Sequence, residues 1–390
     1  MTQSAPPAPV HGIQVAPHAS GTRRGFWAIA ALPLVLYLLD RALLFALGAA
    51  APHILAPPRR HANHDFLPAS DLLNHLGALA RPWFRFDARW YAGVVAHGYH
   101  WGTVATTNTN FLPLFPLVAR ALEPITAGSP WAATWIVANL SYAVALVLLW
   151  IWIRSHWSDA RALPALLLNI VFPFAFFTAA PYAEPLFLAL SVATFLLLER
   201  DKPHAALLCA AAATVCRPVG VALVAALAVY HLTHGDRREA ALSLLGVLPL
   251  AMFALYLGVD FGHPLGFTVY HTYGWVPPHG GIISTIGSQF NTPLTPFDRV
   301  DAAMAVVFLV SGVFVWRRLG PAYGLFVLMS TLLPLTKGLA GMERYVSVLF
   351  PVMAIWGAGL GKAWSMLLFA VSLLGLVLFT ILFAAGYSIF

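Results

Sequence analysis

The sequence predicts an all-α, polytopic membrane protein, and three observations carry that prediction. Apolar runs recur along the whole length of 390 residues, of which 60% are hydrophobic and 9% charged, where a soluble globular domain carries about 25% charged residues. Mean hydropathy is +0.77. The basic residues fall mostly in short clusters between the apolar runs, such as Arg23-Arg24, Arg237-Arg238 and Arg317-Arg318, which is where topology signals belong. The net charge of +7 therefore reads as membrane orientation, with the lipid bilayer as partner and no nucleic acid. Cys209 and Cys216, the two cysteines, lie in one apolar segment. Their spacing gives neither a disulfide framework nor a metal-ligand motif.

Taken in order, residues 1–22 are rich in Pro, Ala and Ser and lack apolar periodicity, which predicts a disordered cytoplasmic tail. The remainder, 23–390, reads as one transmembrane domain. The apolar run 26–47 follows Arg23-Arg24 and is longer than a signal-peptide core, so it predicts an uncleaved signal anchor. Arginines on the cytoplasmic side place 49–128 outside as a large first extracytoplasmic loop with short helices. Further spans are predicted at 131–153, 162–180, 183–199, 204–217, 218–232, 240–260, 302–316, 321–336, 345–361 and 363–386, with 261–300 as a second extracytoplasmic loop. The total is about eleven, although several fall short of the roughly twenty residues that a perpendicular span requires. Residues 183–232 are thus expected to form tight hairpins or tilted, broken helices.

Alternating the direction of these spans puts Arg154, Arg161, Arg200, Lys202, Arg237, Arg238, Arg317, Arg318 and Lys362 on the cytoplasmic side, as the positive-inside rule requires. The same alternation sends Asp87, Glu184, Arg217 and Glu343-Arg344 to the opposite face. Charged residues far apart in sequence are thereby expected to converge beside the large loop, whose centre reads R-F-D-A-R-W-Y-A-G-V-V-A-H-G-Y from Arg85 to Tyr99.

Each of these residues also has a structural reading. Asp87 suits the cap of a short helix over 88–97, with Gly98 ending it in a left-handed conformation. Glu184 and Arg217 lie against apolar sequence, where an unpaired charge costs about 2.5 to 3.5 kcal/mol at bilayer depth, so they are candidates to pair with each other. Asp40-Arg41, late in the first span, reads as a structural pair. His53, His61, His64, His75 and His100 lack metal-ligand spacing, and no metal site is expected. Asn110 to Arg120 reads N-F-L-P-L-F-P-L-V-A-R. Its two prolines argue against an uninterrupted helix, yet it is too apolar for water, so it is expected as a lip at the membrane interface.

These motifs resemble the PIG-V-like mannosyltransferase family, the group of the second GPI mannosyltransferase and its bacterial relatives, within the GT-C class of polytopic glycosyltransferases. The family's W-D motif, G-Y and F-F-P-x-[FY]-P-L are matched by Phe86-Asp87, Gly98-Tyr99 and Phe111 to Leu117. Its Y-S-E-S-L-F is matched by Tyr182 to Phe187, its R-S-N-G by Arg217 to Gly220, and its late R and F-P by Arg344 and Phe350-Pro351. Phe86 stands in place of the family's Trp, Ala183 and Pro185 in place of two serines, and Pro218-Val219 in place of Ser-Asn.

The resemblance implies a GT-C-like bundle, a bacterial inner-membrane location and transfer of a sugar, mannose by family expectation, from a polyprenyl-phosphate donor. Transfer would occur with inversion, outside the cytoplasm, to a glycan, lipid or protein acceptor, with no cofactor. Phosphate is already a good leaving group, so one base and a set of cations suffice. On that basis Asp87 is the candidate base. Arg217 and Arg344 are candidates for the phosphate, Arg85 and Arg89 flank the base, and Glu184 binds sugar hydroxyls or orients an arginine. His97, Tyr99, Tyr182 and Glu343 are candidate substrate contacts. A transporter or lipid flippase would also use buried charges and broken helices, but it would favour paired repeats and a mid-membrane site, and the sequence shows no internal repeat. A topology reporter inserted within 55–80 separates the two: the transferase reading expects it outside the cytoplasm, and a cytoplasmic signal would remove the proposed site.

Overall fold

A computed structural model describes residues 26–56, 58, 77, 79–102, 107–268, 296–336 and 338–387. The expected tail at 1–22, most of the second loop at 261–300, and His61, His64 and His75 lie outside these residues. Among the described residues every regular element is helical: α1 (Phe26–Ile54), α2 (Asp87–His97), α3 (Leu114–Leu122), α4 (Pro130–His156), α5 (Asp159–Ile170), α6 (Glu184–Leu198), α7 (Pro203–Thr214), α8 (Val221–Thr233), α9 (Arg237–Ser243), α10 (Leu248–Phe261), α11 (Pro296–Leu319), α12 (Pro321–Leu335), α13 (Met342–Val346), α14 (Phe350–Gly359) and α15 (Lys362–Ala385).

Five of the described helices are long and apolar enough to cross a membrane: α1, α4, α9 running through a tight turn into α10, α11 and α15. Five shorter apolar helices cover most of the other predicted spans, at Glu184–Leu198, Pro203–Thr214, Pro218–Thr233, Pro321–Leu335 and Phe350–Gly359. The expected eleven spans are therefore not eleven full-length crossings. Proline explains much of the difference. It lacks an N–H, is tolerated in the first turn where that donor has no partner, and interrupts a helix elsewhere. Pro185, Pro203, Pro218, Pro321 and Pro351 all stand at the first or second helical position. The predicted span 162–180 is cut likewise: α5 ends at Ile170, and the chain passes Pro173 into a single 3₁₀ turn at Ala175–Thr178.

Outward faces remain apolar, with Leu208, Leu255, Val259 and Leu374 all more than two-thirds exposed, as surfaces that meet hydrocarbon should be. The interior is rich in fully buried aromatics, including Trp83, Trp152, Tyr142, Phe176 and Phe177. Asp40 and Arg41 form the expected pair, Nη2 to Oδ2 at 2.8 Å, both about 95% buried. Arg41 also donates to Asn139 Oδ1 at 3.2 Å and Thr178 Oγ1 at 2.7 Å and lies 4.5 Å from the Tyr142 ring centroid. The guanidinium thus ties α1 to α4 and to the 3₁₀ turn before α6.

Two ends of the bundle are defined by contacts between helix termini. At one, Trp152 Nε1 donates to the Tyr323 hydroxyl at 2.7 Å, Tyr323 donates to Glu199, and Glu199 pairs with His156 Nε2 at 3.1 Å. This gathers the ends of α4 and α6 with the start of α12, all positions that the positive-inside reading placed together. At the other end, Arg85 Nη2 donates to the Ala384 carbonyl at 2.7 Å, joining the end of α15 to the segment that precedes α2.

The proline-rich lip is not one uninterrupted helix, as its prolines predicted, and its helical part starts only after Pro113. Residues 114–122 do form a helix, because Pro113 is its N-cap and Pro116 sits in its first turn, where a missing N–H leaves no hydrogen bond unmade. Arg217 is set by a comparable device, as the extended residue before the turn Pro218–Gly220 that opens α8. Here Gly220 packs so closely that a Cβ would lie 2.2 Å from the Ala213 carbonyl oxygen. Gly220→Ala is expected to lower thermal stability in detergent by about 1 to 3 kcal/mol through overpacking. Gly359→Ala, with nothing within 4 Å of its Cβ, should leave the melting temperature unchanged.

Candidate active site

The site is built around the start of α2. Phe86, its N-cap, has φ 50° and ψ −111°, a strained conformation for a non-glycine residue that costs on the order of 1–3 kcal/mol. Surrounding packing holds it there: Phe86 is 4% exposed, its ring lies 5.8 Å from that of Phe383, and the preceding Arg85 carbonyl accepts a 3.0 Å hydrogen bond from the Tyr182 hydroxyl. The consequence is that Asp87 is the first residue of α2 and not its cap. No side chain caps the helix, and Gly98 ends it at φ 78°, ψ −163°, outside the left-handed helical region expected from the sequence.

Released from capping, the Asp87 carboxylate meets Arg344, Nη1 to Oδ2 at 2.6 Å. The same guanidinium reaches Glu184 Oε1 through Nε at 2.8 Å and Nη2 at 2.7 Å. Arg217 Nη1 approaches that oxygen from another side at 3.2 Å. Both arginines also lie over rings, Arg217 at 4.6 Å from the Tyr345 centroid and Arg344 at 4.7 Å from that of Tyr182. Two carboxylates and two guanidiniums from four separated segments thus form one electroneutral cluster at the end of the bundle expected from topology.

Exposure is graded across it. The Glu184 side chain is 1% exposed, Arg217 7%, Arg344 13% and Asp87 22%. Glu184 is therefore the buried anchor and Asp87 the member that faces outward. Glu184 Oε2 is buried and makes no hydrogen bond to a described residue. Tyr91, one turn along α2 from Asp87, lies beneath the cluster at 6% exposure. Burial, reinforced by the charges of Glu184 and Asp87, pushes its phenol well above the usual range, so it keeps its proton.

The other candidates from the sequence are placed as follows. Arg85 and Arg89 flank Asp87, with Arg85 bonded to the Ala384 carbonyl and Arg89 4.7 Å from the centroid of the Trp90 ring. Tyr182 contributes its ring to Arg344 and its hydroxyl to the backbone at Arg85. His97 is exposed at the far end of α2, about 15 Å along the axis from Asp87. Tyr99 donates to the Phe111 carbonyl at 2.7 Å and packs on Phe253, so it braces the lip and does not join the charges. Glu343 is 1% exposed and turns to Asp301, itself 2% exposed, whose Oδ1 accepts from the Glu343 N–H at 3.2 Å. Burial and the adjacent Asp301 push the Glu343 carboxyl well above the ordinary range. Asp301, Tyr91 and Tyr345 were missed from the sequence. Setting the predicted span to begin at 302 left Asp301 just outside it, although an acid abutting an apolar run is a usable signal. Among the described residues no group of three or more His, Cys, Asp and Glu side chains stands close enough to hold a metal ion.

No family model matches the chain, and no curated protein matches it. Likeness to the PIG-V-like family thus rests on the quoted motifs alone. Among solved structures, the chain is similar to the Archaeoglobus fulgidus oligosaccharyltransferase tethered with an acceptor peptide containing the NVT sequon via a disulfide bond. Identity is 11%, with 94% of this chain and 56% of that chain covered, at a TM-score of 0.45. The chain spans little more than half the length of that structure.

Removing one partner of a buried ion pair leaves an uncompensated charge and costs about 3–5 kcal/mol. Glu184→Gln strands two guanidiniums and is expected to approach that loss, whereas Asp87→Asn, at the more exposed edge, should lose far less. Thermal unfolding of both variants in one detergent checks the order, and equal losses would contradict the grading.

Proposed function

We propose that the protein is a multipass membrane glycosyltransferase of the GT-C class, which moves a sugar, mannose in our reading, from a polyprenyl-phosphate donor to an acceptor outside the cytoplasm. The observation that carries this reading is the convergence of Asp87, Glu184, Arg217 and Arg344 at one end of the bundle, graded from a buried anchor to an outward-facing carboxylate. The apolar lip supports it. Phe111 and Phe115 pack edge-on to Tyr91 at 5.0 and 4.9 Å, while Leu117 is 60% exposed beside them. A lipid-borne donor could rest there within reach of α2, on a bacterial inner membrane with this end outside.

In this mechanism Asp87 accepts the proton of an acceptor hydroxyl as its oxygen bonds to the anomeric carbon. The bond from that carbon to the phosphate oxygen breaks with inversion, and the electron pair leaves on polyprenyl phosphate. A second carboxylic acid is not required, because phosphate does not need the protonation that an alkoxide leaving group does. Arg344 orients Asp87 through its 2.6 Å contact. Arg85 and Arg89 flank Asp87 in sequence, and guanidiniums at those positions suit the charge that grows on the phosphate. Glu184 orients both buried arginines through Oε1 and offers Oε2 to a sugar hydroxyl. No metal takes part.

Incubation of membranes with labelled polyprenyl-phosphate mannose, followed by identification of the product, tests the substrate class. Asp87→Asn should reduce transfer by about 10²- to 10⁴-fold, the usual worth of a positioned base, at unchanged expression. Near-normal transfer by that variant would remove Asp87 as the base, and activity lost to a chelator and restored by a divalent ion would remove the metal-free mechanism.

A further inference from the structure

At the opposite end of the bundle, α5, α14 and α15 border a half-open cavity of about 670 Å³, within the roughly 300–1,000 Å³ of ligand pockets. Its walls are apolar, with Leu167 and Leu168 from α5 and Phe369 from α15, and among the described residues the charged ones that line it are Arg161 and Lys362. Ser365 lines it one turn beyond Lys362. The nearby acid does not neutralise these cations, because Asp159 is bound to Arg154 at 2.8 Å.

The position of the cavity says what medium it meets. Trp364, 66% exposed, stands two residues after Lys362, and Met366, Leu367, Val371 and Leu374 on the same helix are each more than half exposed. An exposed Trp followed by an exposed apolar face marks the level at which headgroups give way to hydrocarbon. Lys362 and Arg161 therefore lie at headgroup height, on the side assigned to the cytoplasm, with the apolar walls level with acyl chains. This is not the donor site. Lys362 begins α15, whose other end is held by Arg85 beside Asp87, and 24 helical residues span about 36 Å.

We infer that this cavity binds an anionic glycerophospholipid of the cytoplasmic leaflet, its phosphate between Arg161 and Lys362 and an acyl chain against Leu167, Leu168 and Phe369. Two cations at the mouth and no anion among the lining residues are expected to favour an anionic over a zwitterionic headgroup by on the order of 30-fold. The shape of the cavity serves the chain and its charge selects the headgroup.

The test uses the full protein in vesicles of phosphatidylcholine doped with phosphatidylglycerol, each lipid supplied in turn with the same photoreactive acyl chain. Crosslinked peptides are mapped. The expected result is labelling of 160–168 and 357–369 at least tenfold stronger from phosphatidylglycerol than from phosphatidylcholine. That preference should fall to near unity in the Arg161→Gln, Lys362→Gln double variant, while labelling elsewhere on the protein is unchanged. Equal labelling by the two lipids in the wild type would overturn the inference, since it would show ordinary annular contact. So would a preference that survives in the double variant, or one abolished by millimolar inorganic phosphate, which would identify a soluble anion as the ligand. If the double variant does not fold, the wild-type ratio alone decides. None of these outcomes depends on transferase activity.

Discussion

One carboxylate oxygen organises the site. Glu184 Oε1 receives Arg344 through two nitrogens at 2.7 and 2.8 Å and Arg217 through one at 3.2 Å, at the start of α6 and almost wholly buried. An ionised carboxylate in that setting is tolerable only because opposite charges surround it, and two guanidiniums in an apolar bundle are tolerable only because it is there. Removing any of the three exposes the others to the full desolvation penalty. The anchor therefore fixes where the segments at 182–187, 217–220 and 342–346 can lie, and through Arg344 it fixes Asp87. A lysine could not substitute at 344. Simultaneous reach to two carboxylates depends on a planar fork with several donors, which an ammonium point charge does not offer.

Electroneutrality has a functional consequence. Because Arg217 and Arg344 already balance Asp87 and Glu184, an incoming phosphate meets them as dipolar pairs and not as open cations. Sequence reasoning assigned phosphate to those two arginines, since a buried arginine facing a lipid-phosphate substrate has that obvious role. In the structure the buried pair is taken up by the carboxylates, Arg344 by Asp87 and Glu184 and Arg217 by Glu184, which is an orienting geometry. An arginine that orients a carboxylate and an arginine that binds phosphate look identical in a sequence; only their distances to Glu184 distinguish them.

Legibility differed by type of signal. Charges were the easiest to read, because a charged residue in an apolar chain is rare and positive-inside alternation assigns it an end. The pairing of Glu184 with Arg217 and that of Asp40 with Arg41 followed directly, as did the common location of Asp87, Glu184, Arg217 and Arg344. Helix extent was harder. Hydropathy does not record where proline breaks a run, so 162–180 read as one span although α5 stops at Ile170; in 110–120 the prolines themselves gave the break, and the helix begins only after Pro113. Hardest were the residues whose role is geometric. Tyr99 and Glu343 carry the right chemistry for substrate contact, but they face Phe111 and Asp301, and no pattern of residue types specifies the direction of a side chain.

The dipeptide Glu343-Arg344 shows how that direction becomes structure. The two side chains leave α13 toward different partners: Glu343 toward Asp301 on α11, Arg344 toward Asp87 and Glu184. The Glu343 N–H donates to Asp301 Oδ1 at 3.2 Å, so one face of α13 is held by that bond and the other by an ion cluster. Two such contacts on a five-residue helix determine its rotation as well as its position. That matters because Arg344 must present separate nitrogens to separate carboxylates, and a rotation of one residue, about 100°, would carry its fork away from both. The strained Phe86 does the same for Asp87 from the other side, trading backbone comfort for the direction of one carboxylate. The site is thus braced by contacts at its base and graded in exposure toward its edge, which is the arrangement that preorganised charge requires if it is to act on a substrate without first reorganising itself.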